Sequence, residues 1–282
     1  MKGERYSKIV SINNKDMFDR VKLKKASAVI IDGSLGEGKT TLAVHLGDEI
    51  NEFNGLPPIN FEEQLALGGA DFVKKIQVCY EKKLPVIIYD EAGDYTRKGA
   101  LSSFNKALNN VFETFRAYKL VVILCLPYFN TLDSSLFKFN AVRLLFHCSD
   151  RTQTYGEIRG YDIDKMGWLR ANMDKYKYRE WEAYNKVLPI FRANFWNLEE
   201  QRCNELDTYC TKGKIKILKK AGVNLNNFID LKTLAFKLDM SKQWVTMKLK
   251  ELKIRPETRL ARTFYYNKDS FEKLRMVKSK GY

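Results

Sequence analysis

Gly33, Gly38, Lys39 and Thr40 stand at the fixed positions of G-x-x-x-x-G-K-[ST], and Gly36 adds a third glycine inside the loop. Successive backbone N–H groups in such a loop can wrap an anion, because residues without a Cβ let the chain approach closely. The helix that follows adds its positive N-terminal end. On this pattern Gly33, Ser34, Leu35, Gly36, Glu37, Gly38, Lys39, Thr40 and Thr41 are the expected nucleotide-binding residues. Lys39 would reach the β- and γ-phosphates and the Thr40 hydroxyl would ligate Mg2+. The expected ligand is a nucleoside triphosphate, ATP, with its Mg2+.

A second chemical signal follows about 50 residues later, in LPVIIYDEAG at 84–93. An apolar run ending in two carboxylates describes a buried parallel strand with acids at its carboxyl end, where open α/β sheets place their ligands. Asp90 is expected to hold Mg2+ through its water shell, and Glu91 to polarise an attacking water. An acidic loop after a core strand is the plain alternative, but the complete phosphate loop upstream favours the catalytic one. A water-activating glutamate beside the metal-binding aspartate also suits hydrolysis coupled to movement better than transfer to a small acceptor. Such chemistry needs a cation against the γ-phosphate, often from a neighbouring subunit. Arg116 is the first candidate and Arg97 the second, with Arg143 a further charge near a strand end.

The elements that must position these groups alternate. An apolar strand precedes the loop and an amphipathic helix follows it, within residues 28–50. A polar connector leads to a helix over Phe72–Lys82 and then to the Asp90 strand. Leu101, Phe104, Leu108, Val111, Phe112 and Phe115 recur at helical spacing. LVVILCL at 120–126 and AVRLLFHC at 141–148 read as further core strands. The expected fold is α/β, a mainly parallel sheet flanked by helices.

On the Asp90-Glu91 pair and FRAYKLVVILCLP, the chain resembles the FtsK/HerA division of P-loop motor ATPases over roughly residues 25–150. That division includes chromosome translocases, viral DNA-packaging ATPases and conjugation pumps. The resemblance implies ATP hydrolysis, a homo-oligomer with a hexameric ring among its forms, and an arginine-finger role for Arg116. One position departs from the family: Pro127 stands where a γ-phosphate-sensing glutamine usually ends the strand, leaving Tyr128 and Asn130 as nearby substitutes. The chain is also similar to zonular-occludens-toxin-like phage ATPases, which usually carry a membrane segment. Here no run of about 18 apolar residues occurs, so no membrane span is expected.

Five cysteines without C-x-x-C spacing and only two histidines argue against zinc and suit a reducing cytoplasm. Charge is uneven: from Lys212 onward there are 19 Lys and Arg against 6 Asp and Glu, leaving 30 against 28 in the first 211 residues. The expected organisation is a P-loop ATPase core over 1–150, an aromatic and basic extension over 151–211, and a basic winged helix-turn-helix over 212–282. In the extension, Trp168, Tyr176, Tyr178, Trp181, Tyr184 and Trp196 are either base-stacking platforms or a packed core. In the tail, two short helices meet at Asp239 and Met240, Ser241 caps the second, and Val245, Leu249 and Leu252 form its inner face. The expected DNA-facing residues are Lys242, Gln243, Thr246 and Lys250, with Arg255, Arg259 and Arg262 flanking the phosphates.

These signals favour an ATP-hydrolysing motor directed to duplex DNA, packaging, transferring or segregating the genome of a virus or mobile element. An ATP-switched DNA-binding regulator of replication or partition, and a phage-assembly ATPase acting on protein, are the competing readings. Glu91→Gln should keep nucleotide affinity and lose steady-state turnover, and normal turnover in that variant would remove Glu91 from catalysis.

Overall fold

The computed structural model describes residues 27–90, 120–132, 137, 142–149, 152, 155–176, 181–220, 228–256, 258–260 and 263–279. The chain divides into two compact units, Met1–Glu199 and Glu200–Tyr282. The second begins upstream of the compositional change at Lys212, in a helix that runs Glu200–Lys220.

In the larger unit, β1 (Ser27–Asp32) is buried along its whole length, as befits a strand covered on both faces. It leads through the glycine loop into α1 (Lys39–Phe53). The polar connector contains two elements that its composition hides, α2 (Phe61–Gln64) and the two-residue β2 (Leu65–Ala66). Asn60 starts α2 by accepting the Glu62 N–H on its side chain. Next, α3 (Gly69–Glu81) begins three residues before the expected Phe72, where Asp71 accepts the Leu67 N–H at 3.2 Å. Lys75 then ties α3 to the connector by donating to the Phe61 and Leu65 carbonyls at 3.2 and 2.6 Å.

The remaining strands among the described residues of this unit are β3 (Val86–Tyr89), β4 (Val121–Leu126), β5 (Val142–Ser149), β6 (Tyr155–Tyr161) and β7 (Phe191–Trp196). Between β6 and β7 lie α4 (Ile163–Asn172) and the single turn α5 (Trp181–Tyr184). The helix expected over residues 101–115 lies outside the described residues.

The seven strands form one sheet in the order β2-β3-β4-β1-β5-β6-β7. The first five are mutually parallel, and β6 and β7 join antiparallel. Side-chain alternation divides the core between two faces. Ala28, Ile30, Ile87, Tyr89, Val122 and Leu124 pack with Phe72 and Ile76 of α3 and Met166 and Leu169 of α4. On the opposite face Ile88 lies under Gly47 of α1, where an added Cβ would stand 3.4 Å from its Cδ1. The sheet is thus flanked by helices and mostly parallel. One irregularity interrupts it: Ala28 pairs with Val142 but Val29 with Leu144, so Arg143 is an extra residue in β5.

The smaller unit contains α6 (Glu200–Lys220), β8 (Phe228–Asp230), α7 (Leu231–Leu238), α8 (Lys242–Glu251), β9 (Thr258–Leu260), β10 (Thr263–Asn267) and α9 (Asp269–Ser279). Its strands pair antiparallel in the order β8-β10-β9. Ile229, Leu234, Ala235, Leu238, Val245, Leu249, Tyr266 and Leu274 make its core. The turn between α7 and α8 is sharp because Asp239 adopts a left-handed conformation, φ 50°. Ser241 accepts the Trp244 N–H at 3.1 Å to start α8. Leu252, expected on the inner face, is instead 39% exposed, since α8 ends at Glu251 and the chain turns away.

Gly160 in β6 faces the ring of Phe191, and a Cβ there would stand 2.2 Å from it. Gly160→Ala should overpack this contact and cost about 1–3 kcal/mol, read as a lower denaturation midpoint. An unchanged midpoint would mean that the ring can move aside.

Candidate functional site

The glycine motif folds as a strand, a turn and a helix at the carboxyl end of β1. Gly33, Gly36 and Gly38 have φ values of 142°, 90° and 82°, a region that side chains with a Cβ rarely enter. Gly33 has the tightest surroundings, since an added Cβ would lie 2.4 Å from the Cys148 carbonyl oxygen. Its N–H donates to the Pro127 carbonyl at 3.2 Å. The loop therefore leaves the sheet pinned between the ends of β4 and β5.

No side chain caps the N-terminus of α1, and no acidic residue lies in its first turn. The amides there suit an anion on the loop side. Lys39 sits at the loop mouth, its Nζ donating to the Gly33 and Ser34 carbonyls at 2.7 Å each. Phosphate oxygens are stronger acceptors for an ammonium than neutral carbonyls. Leu35 at the loop tip is 90% exposed.

The Thr40 hydroxyl is 3.2 Å from both carboxylate oxygens of Asp90 and donates to that group. Asp90 follows β3 directly and is 6% exposed, and its N–H donates to the Ala66 carbonyl at 2.9 Å. Thus β2, unseen in the sequence, fixes the turn that presents the carboxylate. A hydroxyl and a carboxylate meeting beside a phosphate-sized loop form a hard-oxygen pair of the kind that Mg2+ prefers. Glu91, Arg97 and Arg116 lie outside the described residues. Arg143 lies near the amino end of β5, about 20 Å along the strand from the loop end at 3.3 Å per residue, so it is not a γ-phosphate cation within this chain.

After β4, Asn130 donates its amide to Asp174 at 3.0 Å, which commits one of its donors to structure. Tyr128 is half-buried in the same turn.

Sequence reading missed a buried polar cluster on the core face of the sheet. Asp32, the last residue of β1, is fully buried. It accepts the Phe129 N–H at 3.1 Å and contacts His147 Nδ1 at 2.9 Å. The Tyr184 hydroxyl also donates to it. The His147 and Tyr184 rings stack at 3.7 Å. Burial, and then the charge of Asp32, push the Tyr184 hydroxyl well above its ordinary range, so it stays a donor. The partners are 97, 115 and 152 residues away from Asp32, and no local spacing reveals such a cluster. Of the other aromatics in the extension, Trp168, Trp181 and Trp196 are 41%, 51% and 36% exposed. Tyr176 packs on the core, and Tyr178 lies outside the described residues.

In the smaller unit, Lys242, Gln243, Thr246 and Lys250 share one exposed face of α8 and line a shallow concavity with Met247. Thr246 donates its hydroxyl to the Lys242 carbonyl at 2.8 Å, so its proton is committed to the helix and its oxygen faces outward as an acceptor. Arg255 is exposed. Arg259 lies in β9, but its side chain and the whole of Arg262 lie outside the described residues. Among the described residues, no helix is long and apolar enough to cross a membrane.

No protein-family model matches the chain, and no curated protein does. Among solved structures it is similar to the N-terminal domain of zonular occludens toxin from Neisseria meningitidis, at 18% identity and a TM-score of 0.33, covering 49% of this chain and 84% of that one. It is likewise similar to the genome packaging NTPase B204 from Sulfolobus turreted icosahedral virus 2, at 16% identity and a TM-score of 0.36, covering 62% and 98%. A KaiC-like protein from Pyrococcus horikoshii OT3 matches at 11% identity and a TM-score of 0.33, covering 49% and 80%. Likeness at this level leaves the reading of the site to its own residues.

Thr40→Ala should abolish the gain in nucleotide affinity that Mg2+ confers, while Thr40→Ser keeps it. Nucleotide titrations with and without the ion check this, and an Ala variant that still responds to Mg2+ would exclude the hydroxyl as a ligand.

Proposed function

We propose that this chain is a Mg2+-dependent P-loop ATPase that works on duplex DNA as a motor for a virus or mobile element. The observation that carries the ATPase reading is the meeting of Thr40 and Asp90 beside the glycine loop, at the carboxyl end of the parallel strands. Loop amides and the N-terminus of α1 would bind the phosphate chain, and Lys39 would leave its two carbonyls for the β- and γ-phosphate oxygens. Thr40 and Asp90 would hold Mg2+, which when bound offsets phosphate charge and orients the chain for attack. Glu91, next after Asp90, would take the proton of the attacking water. Arg116, or Arg97, would stabilise the transferred charge from a neighbouring subunit of a ring.

The DNA reading rests on the basic smaller unit. Two helices joined by a sharp turn, followed by the β9–β10 pair, support assignment as a winged helix-turn-helix. Its α8 would present Lys242, Gln243, Thr246 and Lys250 to the groove, with Arg255, Arg259 and Arg262 on the phosphates. The likeness to FtsK/HerA motors adds the expectation of a homo-oligomer that couples turnover to DNA movement.

ATP turnover with and without random-sequence duplex DNA tests this reading, with Lys39→Ala as the blank. Strong stimulation by DNA is expected. Lys242→Ala combined with Lys250→Ala should lower the salt-dependence slope of DNA binding by about 2, one for each phosphate left without its lysine. Turnover indifferent to DNA would replace the motor with a protein-directed assembly ATPase, and a strong preference for one DNA sequence with slow turnover would make it a regulator.

A further inference from the structure

We infer that Asp32, His147 and Tyr184 are positioning residues for the phosphate-binding loop, forming a buried clamp that sets where Gly33 leaves the sheet. The inference rests on the ATPase reading above and adds residues outside the glycine motif to that site.

Asp32 continues the strand SAVIID on the face that also carries Ala28 and Ile30. Its neighbours on that face are apolar, so the carboxylate stands out. A buried carboxylate is tolerated only when donors surround it, and here three elements supply them. Phe129 donates from the turn after β4, His147 contacts it from β5, and Tyr184 donates from α5. The next residue, Gly33, is the first of the loop. Two hydrogen bonds of opposite sense therefore join the same pair of segments: Gly33 N–H to the Pro127 carbonyl, and Phe129 N–H to the Asp32 carboxylate. Together they fix the distance and angle between the loop's first residue and the β4 turn.

Pro127 gains a role from this pairing. It cannot donate to a phosphate, yet its carbonyl holds the loop. The remaining side of Gly33 faces the Cys148 carbonyl, with no room for a methyl group. Since His147 precedes Cys148, the contact that holds His147 to Asp32 also holds the β5 wall of the loop. Tyr184, stacked on His147, closes the cluster from the segment that follows the five parallel strands. The phosphate loop thus takes its shape partly from a residue 152 positions away from Asp32.

Tyr184→Phe tests the clamp in the full-length chain, since it removes one donor and keeps the ring stack. Asp32→Asn is the second variant. Amide hydrogen exchange of the nucleotide-free protein, referenced to Ile30 in the middle of β1, should quicken at Gly33 and Phe129 in both variants. With Mg2+ and a fluorescent ATP analogue, the Kd of Tyr184→Phe should rise about tenfold, the scale of one hydrogen bond to a charged group. The KM for ATP should rise in step while kcat holds. Unchanged exchange at Gly33 and Phe129, or a lowered unfolding midpoint with Kd and KM unchanged, would overturn the clamp and leave the cluster a core contact. Failure of the wild-type chain to bind the analogue above the Lys39→Ala blank would overturn the ATPase reading instead, and the exchange measurement would still decide whether the clamp exists.

Discussion

The carboxyl edge of the large sheet is organised by a packing constraint at Gly33. The chain must turn out of the sheet where the Pro127 carbonyl accepts its N–H and the Cys148 carbonyl leaves no space for a side chain. A loop held this way needs parallel neighbours on both sides, and β1 has them in β4 and β5. With β4 beside β1 and β3 beside β4, the turn after β3 brings Asp90 to the first turn of α1. The pinned glycine and the Thr40–Asp90 contact are thus linked outcomes of one sheet order.

The glycine loop and the acid at the strand end were legible in the sequence because their geometry is local. Spacing along a strand, turn and helix, or along one strand end, specifies it. The parallel core strands were legible for a similar reason, as each is a short apolar run that needs two covered faces. Illegible were α2 and β2, whose polar and short sequences carry no period, although Asn60 offers a cap signal in retrospect. The Asp32 cluster was illegible for a different reason. Each member looks ordinary in its own segment, and only strand register and a helix far along the chain bring them together. Tyr184 shows the limit well: in sequence it is one of several aromatics among charges, and in the fold it is a hydrogen-bond donor in the core.

The smaller unit shows how a local signal can be right at its start and wrong at its end. Ser241 caps α8 as its type predicts, because a side-chain oxygen can satisfy a first-turn N–H without tertiary help. Leu252 fits the apolar period of the same helix, yet the helix stops one residue earlier. Helical period has no force beyond the last helical residue, so the inner face ends with Leu249. Lys248, polar by type, is buried with its ammonium paired to Glu251 at 2.8 Å, where a long stem can cover the core.

The extra residue in β5 has a consequence for how this chain can vary in length. Were Arg143 paired with Val29 instead of bulged out, continuous pairing from Ala28 and Val142 would set Phe146 opposite Asp32. With the bulge, His147 occupies that place. Deleting Arg143 would only close the bulge and keep His147 in place, whereas adding one residue between Leu144 and Phe146 would leave every glycine of the loop intact and replace the partner of Asp32 with a hydrocarbon ring. Within β5, after the bulge, the chain can exchange side chains but cannot gain or lose a position, so relatives that keep this carboxylate and its histidine should share a fixed count from the bulge to the end of the strand.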